Sequence, residues 1–307
     1  MATHRYGLLL GLALVLSNNS AFAKEKPKTP AHPRPLQEIK KTLETILSGA
    51  DKNDENAQAL QRLKAYRYLA EAPYADLTLD ENYNKMCLAG AKLCERIGKM
   101  DHHPKNPGLP EEEYKLAYNG TSQSNLAQGY RSLVDAVDTW MADSDNFNIG
   151  QLGHRRWCIN PTMAKTGFGR SGIFCAMFSF DRNRKNVPDF DYVCFPARGY
   201  MPIEFFGEKL PWNVSLNPKK YKTPDKQFSP KIYLADAAGM KKGDPLPLNF
   251  KKVDAVPFGI PSCIIFRPEK LTLTPGDRYV VELEGIQPQG PGAPVTLRYL
   301  VEFVTMK

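Results

Sequence analysis

The 307-residue chain has only five histidines, and several chemical signatures are missing from it altogether. No CxxC pair occurs, which removes the usual basis for a cysteine metal site or a thioredoxin-type redox pair. There is no HExxH segment to set two imidazoles on one helical face for zinc, and no G-x-S-x-G turn to expose a nucleophilic serine. Beyond the N-terminal segment no stretch is long and apolar enough to cross a bilayer. No repeat points to a solenoid, and the basic residues are spread along the chain rather than gathered in one strip.

What is present begins with His4 and Arg5, then the apolar run from Tyr6 to Leu16, then Asn18, Asn19 and Ser20, then Ala21-Phe22-Ala23. This order predicts a secretory signal peptide over residues 1–23, cut after Ala23, because the run falls well short of the ~20 residues a membrane span needs. No cysteine stands near the cut for lipid attachment. Its removal takes away one arginine and no acid, leaving 284 residues with 40 basic against 33 acidic side chains, a net +7. That excess favours acidic surfaces, and export excludes nucleic acid as the expected partner. A secreted or periplasmic location follows, with no transmembrane segment once the signal is gone.

Six cysteines remain, at 87, 94, 158, 175, 194 and 263. An even count in an exported chain permits disulfides but leaves fifteen pairings open. Cys87 and Cys94, seven apart on one helix, lie ~10.5 Å apart along its axis and cannot pair with each other. Cys175 and Cys194 flank two β-like runs joined by a polar loop, so they are the pair expected to face each other on adjacent strands.

Residues 24–53 read as a proline-rich basic lead, with four prolines between Lys24 and Pro35, and a short helix carrying Leu36, Ile39, Leu43 and Ile46. The spacing predicts a second helix from about Asp54 to Glu71. A third is opened by Asp80, closed by Gly98 and striped by Tyr83, Met86, Cys87, Gly90, Leu93, Cys94 and Ile97. A fourth is expected over 125–141, after a loop with Pro107, Gly108 and Pro110. Short β-like runs follow around 167–180. From about Pro196 helical periodicity disappears and β-favouring runs recur between turns, at 231–234, 262–266, 278–283 and 296–304. The division is therefore α+β: residues 54–195 with helices first and strands after, and residues 196–307 as a β-sandwich-like accessory domain with its own core.

Several segments recur in a fixed order between Ala65 and Gly169: Tyr66-Arg67-Tyr68-Leu69, Ala89 to His102, Asn125-Leu126-Ala127, Trp140-Met141, Gly153-His154-Arg155 with Asn160-Pro161, and Gly167-Phe168-Gly169. This ordered set resembles the bacterial-type members of the CAP superfamily (cysteine-rich secretory proteins, antigen 5 and pathogenesis-related 1). The resemblance implies an α-β-α sandwich with a cleft where two histidines and two acids converge. Carried across residue by residue, the histidines fall on His102 or its neighbour His103 and on His154. One acid falls on Asp143, and the other position is Ser124, so that carboxylate is missing. The stretch from Gly199 to Leu216 resembles the proline- and tryptophan-punctuated tails of some bacterial members.

Read without the family, three histidines still lie in two turns beside helix ends, Asp101-His102-His103-Pro104 and Gly153-His154-Arg155, where side chains can meet at a cleft. Imidazoles with a carboxylate suit zinc or a similar divalent ion, which takes about three protein ligands in an open site. His102, His103 and His154 are the candidate ligands, and weak binding is expected because Ser124 is neutral. The alternative is a structural hydrogen-bond network around His154 and Asp143. Arg155 and Arg156 beside Trp157 fit either an anion grip or arginines solvated or paired around a core tryptophan. The function expected is a non-catalytic exported binding module for a lipid, glycan or protein of the envelope, needing no cofactor. The alternative is a hydrolase with Ser124 as nucleophile, His154 as base and Asp143 as orienter.

Overall fold

The computed structural model describes Met1 and residues 32–307; the expected signal peptide and most of the proline-rich lead lie outside these residues. Helix α1 (Leu36–Ser48) buries Ile39, Leu43 and Ile46, the stripe its spacing foretells. Helix α2 (Glu55–Leu69) starts at Asp54, whose carboxylate accepts the Ala57 N–H. The short strand β1 (Thr78–Leu79) leads to α3 (Glu81–Ile97). Here Asp80 caps the first turn by accepting from Asn82 and Tyr83, and Gly98 closes the last at φ +71°.

Two elements differ from the sequence reading. Helix α4 (Glu111–Ser122) occupies a stretch without an apolar stripe. Three glutamates in its first turn favour the helix N-terminus, yet it buries only Ala117, Gly120 and Thr121, so hydrophobic periodicity is silent there. The helix expected over 125–141 is strand β2 (Ser124–Gln128) followed by α5 (Leu133–Ala142). Gly129 at φ +98° turns the chain and Ser132 caps the helix through the Asp135 N–H, while β2 takes its hydrogen bonds from a later strand.

Helix α6 (Gly153–Cys158) and strands β3 (Lys165–Thr166), β4 (Phe168–Ser171) and β5 (Phe174–Phe178) complete the first region. Antiparallel β2, β5 and β4 form a three-stranded sheet in that order. Alternation along β5 decides its two faces. Phe174, Ala176 and Phe178 pack with Cys87, Ala91 and Cys94 of α3, whereas Cys175 and Met177 join the core on the side of α2 and α5. With α3 and α4 on one face and α2 and α5 on the other, this is an α-β-α sandwich.

The remaining strands are β6 (Tyr192–Phe195), β7 (Gly199–Pro202), β8 (Trp212–Leu216), β9 (Lys231–Ala235), β10 (Lys241–Lys242), β11 (Leu248–Asp254), β12 (Cys263–Pro268), β13 (Arg278–Ile286) and β14 (Val295–Val304). They build two sheets, ordered β11-β12-β8-β6 and β10-β9-β13-β14-β7. Fully buried Trp212 and Phe266 from the first meet Tyr279 and Phe303 from the second, with the Trp212 ring 5.9 Å from Tyr279 and 6.1 Å from Phe303. The overall class is α+β.

Strand β6, placed with the helical region in the sequence division, pairs with β8 in the C-terminal sandwich. Nor are there two separate cores, because one buried cluster runs continuously from Ile39 to Phe303. Tyr66 of α2 meets Phe195 and Phe205 at ring distances of 5.8 and 5.1 Å, which welds the regions together. The expected Cys175–Cys194 bridge is also not formed. Those residues sit in different sheets, and all six cysteines are free buried thiols. Burial pushes the Cys87, Cys175 and Cys194 thiols up to about 12, which keeps them protonated. Among the described residues no helix is long and apolar enough to cross a membrane.

Candidate functional site

The segment after α3 carries His102 and His103 back over the C-terminal end of α4. His102 Nδ1 lies 2.9 Å from the Thr121 carbonyl oxygen, and the Thr121 hydroxyl donates to the His102 carbonyl at 3.3 Å. His103 Nδ1 lies 3.0 Å from the Tyr118 hydroxyl. Where α4 hands over to β2, Ser124 and Asn125 emerge, both buried. The Asn125 amide donates to the His154 carbonyl at 3.0 Å and so ties β2 to α6. Asn125 is thus a strut of the site, which explains the asparagine of the N-L-A segment in physical terms.

Asp143 ends α5 in the left-handed region, at φ +44°, a conformation asparagine and aspartate tolerate best after glycine. Its buried carboxylate lies behind His154 with Oδ1 2.8 Å from Nδ1, and its other oxygen accepts the Arg155 N–H at 3.3 Å. Asp143 therefore orients the imidazole and does not line the cleft. With Nδ1–H spent on Asp143 in His154 and on a carbonyl in His102, each ring is left with Nε2 for the open side.

His102, His103, Ser124, Asn125, His154 and Trp157 are thereby brought around one cleft of ≈ 400 Å³. Phe180 and Phe258 form further walls, as do Asn148 and Gln151 from the loop before α6. None of these four was singled out from the sequence. Phe258 comes from the C-terminal region, far from the motif block, and only its position opposite Gly153 marks it. The Ser124 hydroxyl is 3.6 Å from Cys87 Sγ, and among the described residues no hydrogen bond joins it to His154.

The two imidazoles differ electrostatically. Burial opposes charge on His154, but the Asp143 hydrogen bond and charge, with Asp145 adding to them, outweigh it and raise its pKa above the ordinary value. For part-buried His102, desolvation comes first. The Thr121 carbonyl works against it, but the charges of His154 and His103 reinforce it, and the pKa is lowered. A raised folded-state pKa means that the Asp143–His154 contact stabilises the fold fully below the ordinary imidazole value, and that this contribution fades as pH rises through the raised one. Replacing Asp143 by Asn is expected to lower the His154 titration midpoint and to remove that acid-side stabilisation. Imidazole NMR titration together with melting curves at several pH values checks both, and an unmoved His154 midpoint would contradict the assignment.

Arg155 and Arg156 are both buried, and protein acceptors surround their guanidinium groups. Arg155 donates to the carbonyls of Met141, Ala142 and Pro211 at 2.6 to 2.7 Å and to the Asn213 side chain at 3.1 Å. Burial pulls its guanidinium down to about 10, which leaves it charged at neutral pH. Arg156 reaches Asp254 at 2.6 Å and the carbonyls of Gln151, Val256 and Ile260. Arg67 of α2 holds the other end of α6 by donating to the Cys158 carbonyl at 2.7 Å. Three buried arginines thus bolt the six-residue α6, and with it His154, to both regions.

Zinc chemistry meets a short donor set. Among the described residues there is no group of three or more His, Cys, Asp or Glu placed to hold a metal ion. His102, His103 and His154 each have Nδ1 engaged, by the Thr121 carbonyl, the Tyr118 hydroxyl and Asp143, while Ser124 is neutral and Asp143 is committed behind His154.

Comparison with curated proteins gives no match, and neither does comparison with solved structures. Residues 60–174 match the model of the cysteine-rich secretory protein family, CAP, and His102, His103, Ser124, Asp143 and His154 all lie within that stretch. The matched stretch is the one that folds as the α-β-α sandwich, so over residues 60–174 the chain is similar to the cysteine-rich secretory protein family in both sequence and layer order.

Proposed function

We propose that the chain is an exported, non-catalytic CAP-domain binding protein of the bacterial type, whose histidine-lined cleft contacts a lipid, glycan or protein of the cell envelope. The observation that carries this reading is the pairing inside the cleft. His154 has a buried orienting carboxylate but no nucleophile against Nε2, since Ser124 is paired with Cys87. A serine hydrolase needs that oxygen within about 3.2 Å of its base, or somewhat more without substrate, and here the Ser124 hydroxyl has Cys87 Sγ as its partner instead. Export rests on the N-terminal segment, and N-terminal sequencing of the secreted protein should begin at Lys24.

Affinity capture from envelope extract tests the binding reading: a component retained by the wild type should be lost with His154→Ala. The Asp143–His154 pair favours a hydrolase as second reading. Ester turnover that disappears with Ser124→Ala would establish it in place of the first.

Divalent metal binding should be weak at most. Calorimetric titration with Zn²⁺ at neutral pH is expected to show no submicromolar site. Whatever binding occurs should decline as pH falls through the raised His154 pKa, thus already above the ordinary value of about 6.5. Submicromolar binding abolished by His154→Ala would overturn this expectation.

A further inference from the structure

The cleft is selective in what its walls omit. Eight of its twelve lining residues are polar and three are aromatic, while none is aliphatic. Imidazoles apart, none carries a charge. An acyl chain gains from aliphatic walls, and a phosphate or sulfate from lysine and arginine, and this cleft provides neither. The contrast lies on the same domain, where a groove between α3 and α4 combines Leu88, Leu93 and Leu116 with Lys85, Lys92 and Arg96.

The aromatic wall is built as a platform. Phe180 stacks on Trp157 with centroids 4.6 Å apart, and the guanidinium of Arg182 lies 5.5 Å from the Trp157 ring. Phe180 itself is 45% exposed, so one side of the stack is open. The same cleft is lined by the Ser122 hydroxyl and the Gln151 amide, which donate and accept, and by the Asn148 amide oxygen and the Nε2 of neutral His102 and His154, which accept.

We infer that the cleft binds a neutral saccharide, with the C–H face of a pyranose ring on Phe180 and its hydroxyls paired with the amides and imidazoles. A sugar ring has one apolar face and a polar rim, the pattern the walls present in reverse. This inference rests on the binding reading above.

Titration calorimetry of the purified chain tests it, using neutral oligosaccharides of glucose and of N-acetylglucosamine, a sulfated oligosaccharide and a fatty acid. A neutral oligosaccharide should bind. Phe180→Ala should weaken it about tenfold, and Gln151→Ala should weaken it as well, with melting temperatures unchanged because both side chains are exposed. The inference is overturned if no neutral oligosaccharide binds, or if both variants bind it as the wild type does. Fatty-acid binding that depends on Phe180, without saccharide binding, would also overturn it while leaving a binding cleft. Cleavage of a bound neutral oligosaccharide would support the ligand class and remove the non-catalytic reading.

Discussion

Replacing Arg155 by Met is expected to destabilise the protein by about 3–5 kcal/mol, since it leaves several buried acceptors without a donor at roughly 1–3 kcal/mol each. Arg155 is fully buried and is the shared donor for the carbonyls of Met141, Ala142 and Pro211 and for the Asn213 side chain. Methionine fills most of the volume but donates nothing, so these acceptors are stranded away from water. The loss also cuts the link between the end of α5 and the start of β8, across which the α-β-α region and the C-terminal sandwich share a core. Denaturant unfolding of Arg155→Met beside the exposed control Arg182→Met measures the effect, the control being expected within about 0.5 kcal/mol of wild type. Equal stability of the two variants would show that Arg155 is not the bolt described here.

Gly169→Ala should cost about 3 kcal/mol or more, at the upper end of what overpacking does, because the obstruction is backbone. A Cβ on Gly169 would stand 2.1 Å from the Leu88 nitrogen and 2.4 Å from the Cys87 carbonyl carbon. On Gly167 it would stand 2.4 Å from the carbonyl carbon of Tyr83. The two glycines of the G-x-G segment are therefore where the sheet touches the backbone of α3, while Phe168 between them enters the core on the other face. Alanine forces α3 away from β4 and opens the cluster of Cys87, Ala91, Leu126 and Phe174. His102, just beyond α3, moves with it. Gly290→Ala, with nothing within 4 Å of the added carbon, is the matched control. Stability of Gly169→Ala within about 0.5 kcal/mol of wild type would contradict this contact.

The elements legible from spacing were those whose signals are local. In α3 the capping aspartate, the apolar stripe and the terminal glycine agree, and the helix runs between the residues they mark. Strands β9, β12, β13 and β14 each extend a β-favouring run to within a few residues. The merged helix over 125–141 failed because Leu126 and Tyr130 fall at helical spacing by chance. What decides β2 is its hydrogen bonding to β5, about fifty residues on. Helix α4 escaped notice because it buries small residues against α3 rather than a stripe of large ones.

For the site, the sequence by itself determined the inventory: which imidazoles, hydroxyl and carboxylate stand in the turns that can meet, and that Ser124 leaves the set one acid short. Only the tertiary structure decided their roles. It put Asp143 behind His154 instead of in the cleft, and among the readings open for Arg155 and Arg156 it chose burial, with Arg156 paired to Asp254 and Arg155 bolted to carbonyls. It also brought Phe180 and Phe258 to the walls of the cleft. The physical reason is range. Caps, stripes and turns report on neighbours within a few residues, whereas an acceptor for Arg156 a hundred residues away, or a ring wall from the loop between β11 and β12, exists only once the core has closed.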